Sequence, residues 1–217
     1  MKKEPLFIAF STQKGGAGKT TLTVLMASYL YYVKGYDVAV VDCDYPQFSL
    51  KDMRERDLKN IERNPHLRRA AYEQFKRLGK RAYPIVGSRP DHAVEAARPF
   101  VESETPPDFV FFDLTGTVNN MGLIKTVATM DYIFCPIAAD RFIMESSLKY
   151  AGILNDTLVT TGKSNIKGIR LLWNMVDRRE KTDLYDIYEK VIAGMGLEVL
   201  KTCLLYTSPS PRDRSLS

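Results

Sequence analysis

Short apolar runs recur along the chain, spaced widely enough for a helix to fit between them. LFIAFS (6–11), VAVVD (38–42), FVFFD (109–113), YIFCPI (132–137) and IRLLWNMV (169–176) are rich in β-branched and aromatic residues. Continuous runs of this kind mark strands buried on both faces. YPIVG (83–87) offers one further strand, and GLEVLKT (196–202) begins another. The intervening stretches predict helices over 19–33, 48–79, 91–103, 119–129, 143–161 and 182–194. Strand and helix in alternation imply right-handed crossovers, so the pattern predicts a doubly wound, mainly parallel α/β sheet. Neither an internal repeat nor a linker divides the chain, and one domain is expected over residues 1–202.

After Thr202 the pattern stops. CLLYTSPSPRDRSLS (203–217) is Ser/Pro-rich and aperiodic, the composition of a disordered tail. It is also similar to the in-frame translation of a transposase-type sequencing adapter. The expectation is a non-native read-through from Cys203, with a natural chain that continues through at least one more strand and helix.

Composition narrows the class only a little. With 45% hydrophobic and 26% charged residues the chain reads as a soluble globular protein. A formal net charge of +5 permits contact with nucleic acid or an anionic surface without requiring it. The N-terminal apolar stretch is too short for a signal peptide, and no run approaches the roughly 20 apolar residues of a membrane span. Three cysteines without paired spacing fit a reducing cytoplasm, and a cytoplasmic location is expected. His66 and His92 stand apart from any cluster at metal spacing, so no zinc site is assigned. The stretch from Lys51 to Arg81 is rich in Lys and Arg. Such a run is most often a solvated helix face, with nucleic acid or a partner protein as the alternative.

Candidate chemistry begins at STQKGGAGKTTL (11–22), between the first strand and the first helix. The standard phosphate loop reads G-x-x-x-x-G-K-[ST]; here Gln13 stands where the first glycine belongs, and the glycines have moved inward to Gly15 and Gly16. Gly15, Gly16 and Gly18 leave backbone amides free to approach phosphate oxygens, with Ala17 between them. The helix N-terminus beyond, with Thr21 in its first turn, adds partial positive charge. Lys19 can reach the β- and γ-phosphates, and the Thr20 hydroxyl can coordinate Mg²⁺. Two carboxylates leaving a strand at i and i+2, Asp42 and Asp44 in VVDCDYPQFSL, can address metal and water together. Asp113 ends a third apolar run. An acid there could simply cap the next helix, but three strand ends presenting a loop and acids to one edge fit ligand binding. The amide of Asn174 suits either a turn or the donor–acceptor edge of adenine.

KGGAGKTT (14–21) resembles the deviant Walker A motif of the ParA/MinD superfamily. The segment at Asp42 and Asp44 is similar to that family's D-x-D-P-Q, and FVFFDLTG (109–116) resembles Walker B. The resemblance implies a P-loop ATPase using ATP and Mg²⁺. Lys14 would cross a homodimer interface to the partner's phosphates, Asp44 would orient the attacking water, and Asp42 and Asp113 would support the metal. Asn174 matches an adenine-reading asparagine. Tyr45 is inserted before Pro46-Gln47, so Gln47 receives no role.

Within the superfamily the sequence is nearest ParA-type proteins, including those encoded with conjugal transfer genes. This implies an ATP-dependent dimer that binds DNA non-specifically in partitioning or transfer, with a DNA-binding or adaptor partner that stimulates hydrolysis. Lys163, Lys167, Arg170, Arg178, Arg179 and Lys181 are the candidate DNA contacts, chosen for their closeness to the last strand and helix. A membrane-associated MinD-like positioning ATPase and a non-hydrolysing ATP-sensing scaffold are the alternatives.

Overall fold

The structure, a computed structural model, describes residues 4–13, 15–114, 121–176 and 183–205. Seven strands form one sheet: β1 (Leu6–Phe10), β2 (Val38–Asp42), β3 (Ile85–Gly87), β4 (Phe109–Asp113), β5 (Tyr132–Ile137), β6 (Gly168–Val176) and β7 (Glu198–Leu205). Their order is β3-β2-β4-β1-β5-β6-β7 and every pairing is parallel. The sheet is thus α/β and wholly parallel. YPIVG yields only the three-residue edge strand β3, and β7 runs to Leu205, past the break expected after Thr202. Residues 206–217 lie outside the described residues.

Alternate residues of the strands feed two cores, as a period of two requires. Ala9, Val41, Phe112, Ile133, Cys135 and Leu171 pack with α4 (Ala93–Val101), α5 (Met121–Ala128), α6 (Arg141–Leu154) and α7 (Asp183–Gly194). Ile8, Phe10, Val40, Phe111 and Leu172 face α1 (Lys19–Ser28) and the start of α2 (Ser49–Arg63). Helices therefore cover both faces. Among the described residues, no helix is long and apolar enough to cross a membrane.

The long helix expected over 48–79 is two helices, α2 and α3 (Pro65–Leu78). Proline has no amide hydrogen and disfavours helical geometry in the residue before it. Asn64 accordingly turns extended, at φ −115° and ψ 110°, and its side chain accepts from the amides of His66 and Leu67. Proline at the first position and asparagine at the cap make a strong helix start. The helices expected over 19–33 and 143–161 each end in a wider π turn, at Tyr29–Val33 and Asn155–Val159.

Candidate nucleotide site

β1 delivers the loop at residues 11–18 to the C-terminal edge of the sheet, between β4 and β5. Two buried hydroxyls fix its root: Ser11 Oγ lies 2.6 Å from the Tyr150 hydroxyl, and Thr12 Oγ1 lies 2.8 Å from Ser147 Oγ. These bonds tie the loop to α6. Gly16 and Gly18 adopt φ of 81° and 88°, the left-handed region that side-chain-bearing residues rarely enter. A Cβ on Gly15 or Gly16 would meet nothing within 4 Å, so this stretch of backbone faces open space.

No side chain caps the first helix. Gly18 is its cap residue, and the first turn holds no acid. The first amides of a helix have no intrahelical partner and carry the positive end of its dipole. An anion is the missing complement. Lys19 and Thr20 open this helix. Burial pushes the Lys19 ammonium below its usual range, while Asp113 and then Asp44 pull it back up.

The acids differ sharply. Asp42 is fully buried, and its carboxylate accepts from the amides of Asp44 at 3.1 Å, Leu50 at 2.9 Å and Lys51 at 3.1 Å. It caps α2 from eight residues upstream, so both oxygens are committed to backbone. Asp113 is only 2% exposed, and its Oδ2 has no hydrogen-bond partner among the described residues. Burial pushes its carboxyl up to about 7; a hydrogen bond from Thr20 opposes this, and Asp42 and Asp44 add to it. An orphaned buried carboxylate oxygen beside a hydroxyl is a donor set for a hard cation, and Mg²⁺ held with phosphates and water fits it. Among the described residues no three His, Cys, Asp or Glu side chains assemble a metal cage of their own.

Asp44 keeps one oxygen on the Ser49 hydroxyl at 2.5 Å. The inserted Tyr45 is absorbed by the turn that follows. The amide of Phe48 donates to the Asp44 carbonyl at 2.7 Å, and Phe48 itself adopts φ 49°. Its ring packs where Gly87 leaves room, since a Cβ there would sit 2.9 Å from it. Tyr45 is 54% exposed, edge-on to Phe48, so the extra residue points outward.

Asn174 reaches the loop directly. Its Nδ2 donates to the Ala17 carbonyl at 2.9 Å, and its Oδ1 accepts from the amide of Met175, itself at φ 56°. A Cβ on Gly18 would come within 2.4 Å of that Nδ2. The amide therefore braces the loop.

The structure brings Gly15 through Thr21, Asp42, Asp44, Asp113 and Asn174 to one edge of the sheet. Lys14 lies outside the described residues, as do Arg178, Arg179 and Lys181. Two of the candidate DNA contacts are already neutralised: Lys167 pairs with Asp131 at 2.7 Å and Arg170 with Glu198 at 2.9 Å. Sequence reasoning missed Ser147, Tyr150 and the capping role of Asp42. Its one available signal was the Ser-Thr pair that follows an apolar strand.

The family described as the CobQ/CobB/MinD/ParA nucleotide binding domain matches residues 8–213. No curated protein sequence matches the chain. Among solved structures, a putative plasmid partition protein from Borrelia burgdorferi B31 bound to AMPPNP is similar at TM-score 0.57 and 14% identity, over 92% of this chain and 88% of that one. The pNOB8 ParA bound to nonspecific DNA reaches 0.61 at 15% identity, over 97% and 91%. The MinC:MinD cell division complex of Aquifex aeolicus reaches 0.59 at 14%, over 96% and 86%. At such identities the likeness is one of fold.

Proposed function

The chain belongs to the CobQ/CobB/MinD/ParA family of nucleotide-binding domains, and from that premise we propose that it is a dimerisation switch driven by slow hydrolysis of ATP. The observation that carries the reading is the meeting, on one sheet edge, of an uncapped helix N-terminus, the Lys19 ammonium and the orphaned oxygen of Asp113. The loop and first-turn amides hold the phosphate oxygens, and Lys19 spans the β- and γ-groups. Thr20 and Asp113 hold Mg²⁺, with Asp42 fixing the neighbouring strand end. When bound, the ion neutralises charge on the phosphate oxygens. Asp44 has one oxygen on Ser49 and offers the other to the attacking water. Lys14 of a second copy places a cation against charge developing at the γ-phosphate.

The partition and ParA relatives support a role in DNA partitioning or conjugal transfer through non-specific DNA binding, with a partner protein that stimulates hydrolysis. Light scattering and phosphate release, each with ATP and Mg²⁺, test the switch. The wild type is expected to double its mass and turn over slowly. Asp44→Ala should dimerise without turnover, and Lys14→Ala should lose hydrolysis. A protein that stays single with ATP overturns the reading.

A further inference from the structure

The positive charge of this chain is concentrated in one place. Residues 51–81 hold eleven basic and five acidic side chains, a surplus of six, whereas the whole chain carries only +5. The remainder is therefore slightly acidic, and the surplus belongs to α2, α3 and the turn after them. This pair is an arm with almost no core of its own. Leu50 is the one buried residue of α2, and α3 has none.

The arm has two sides. Ala71, Gln74, Phe75 and Leu78 are half-buried at helical spacing and turn toward the body, where Phe75 meets Tyr32 at 6.3 Å. Arg68, Arg69, Tyr72, Lys76 and Arg77 are exposed on the other side. Among the described residues, Arg56, Lys59, Arg63, Arg69 and Arg77 take part in no ion pair. Lys167 and Arg170 contrast with them, each holding an acid.

We propose that the outward face of α3, with Arg69, Lys76 and Arg77 at its centre, docks on the phosphate backbone of duplex DNA. This inference rests on the DNA-binding part of the reading above and assigns its surface. Unpaired guanidinium groups are free to fork onto phosphate oxygens. The span from Arg68 to Arg77 is about 14 Å along the helix, roughly four backbone steps of one strand. An anionic membrane is the poorer fit, because a helix lying in lipid needs a continuous free apolar face, and Ala71, Phe75 and Leu78 of α3 are turned inward. The arm also starts on Asp42, one strand from Asp113, which places it within reach of the nucleotide site.

Fluorescence anisotropy with a random-sequence duplex, in ATP and Mg²⁺ across a salt series, provides the test. The variant is Arg69→Ala/Lys76→Ala/Arg77→Ala, and the charge-matched control is Lys125→Ala/Lys149→Ala/Lys190→Ala, all exposed and without an assigned role. Thermal melts and phosphate release without DNA should be unchanged in both. The arm variant is expected to bind at least tenfold more weakly, with the slope of log K against log salt reduced by roughly 2.7, about 0.9 for each phosphate no longer neutralised. The control should keep most of its affinity. Equal losses in the two variants, or an unchanged slope in the arm variant, overturn the assignment while leaving DNA binding intact. A wild type that binds no duplex overturns both readings, as does capture only by phosphatidylglycerol vesicles.

Discussion

Asp42 and Asp113 end neighbouring strands and face each other in register, yet the protein treats them in opposite ways. Three backbone amides surround the Asp42 carboxylate, two of them from the first turn of α2. A buried charge satisfied in that way stabilises the fold. Among the described residues Asp113 instead keeps one oxygen without a partner, and burial pushes its carboxyl up to about 7. A buried carboxylate left in that state costs stability. One strand end is closed by the chain's own amides, and the other keeps an oxygen without a partner among the described residues. The contrast divides the sheet edge into an architectural half, closed by hydrogen bonds of about 3 Å, and the half that the proposed function makes reactive, with Asp113 as the proposed metal-holding group.

The largest expected effect comes from Asp113→Asn. Losing the carboxylate removes a cation-holding group whose worth in such sites is several kcal/mol, so Mg²⁺-dependent phosphate release should fall by roughly 100-fold or more. Stability of the nucleotide-free protein should not fall and should rise at neutral pH and above, because the substitution removes a buried charge that costs stability. Asp42→Ala should invert this pattern. It strips three charge-assisted bonds and the cap of α2, and roughly 2 kcal/mol of stability should disappear in urea denaturation. If Asp113→Asn were the more destabilising of the two, the division between the halves would be wrong.

Legibility in the sequence follows the same division. Strand-terminal acids after apolar runs are readable, because a parallel sheet sends every strand end to one edge and the runs mark those ends. Asp113 and the loop at 15–21 are therefore legible from the chain alone. What Asp42 does is not, since its partners are the amides of residues 50 and 51, which reach it only when the turn through Phe48 closes. The bonds Ser11–Tyr150 and Thr12–Ser147 join residues more than 130 positions apart, beyond the reach of any local pattern. Asn174 stands out for its amide, but its bond to Ala17 depends on β6 passing beside the loop. The pair Lys167 and Arg170 misleads for a related reason. Closeness in sequence makes it look free, while the neighbouring strand ends supply Asp131 and Glu198. The break at Asn64-Pro65 is visible as a dipeptide that starts turns and helices, but helical spacing of charges on both sides hides it.

The pH dependence is the effect most specific to the reactive half. Asp113 titrates near 7 in the folded protein and near 3.8 when unfolded, so between those values the native state holds a proton that the unfolded state has released. Linkage then makes stability fall as pH rises through this window, by at most about 1.4 kcal/mol per pH unit, and level off above about 7. Other carboxylates titrate in the same range, so the informative quantity is a difference. Wild type minus Asp113→Asn, from urea midpoints at pH 5, 6, 7 and 8 without nucleotide or metal, should decline toward neutrality and then flatten. Asp42→Ala should retain most of that decline, because burial, the largest cause, remains while the smaller push from the Asp42 charge is lost. Should the difference between wild type and Asp113→Asn be flat from pH 5 to 8, the orphaned oxygen would have an unseen partner, and the open half of the edge would be as closed as the other.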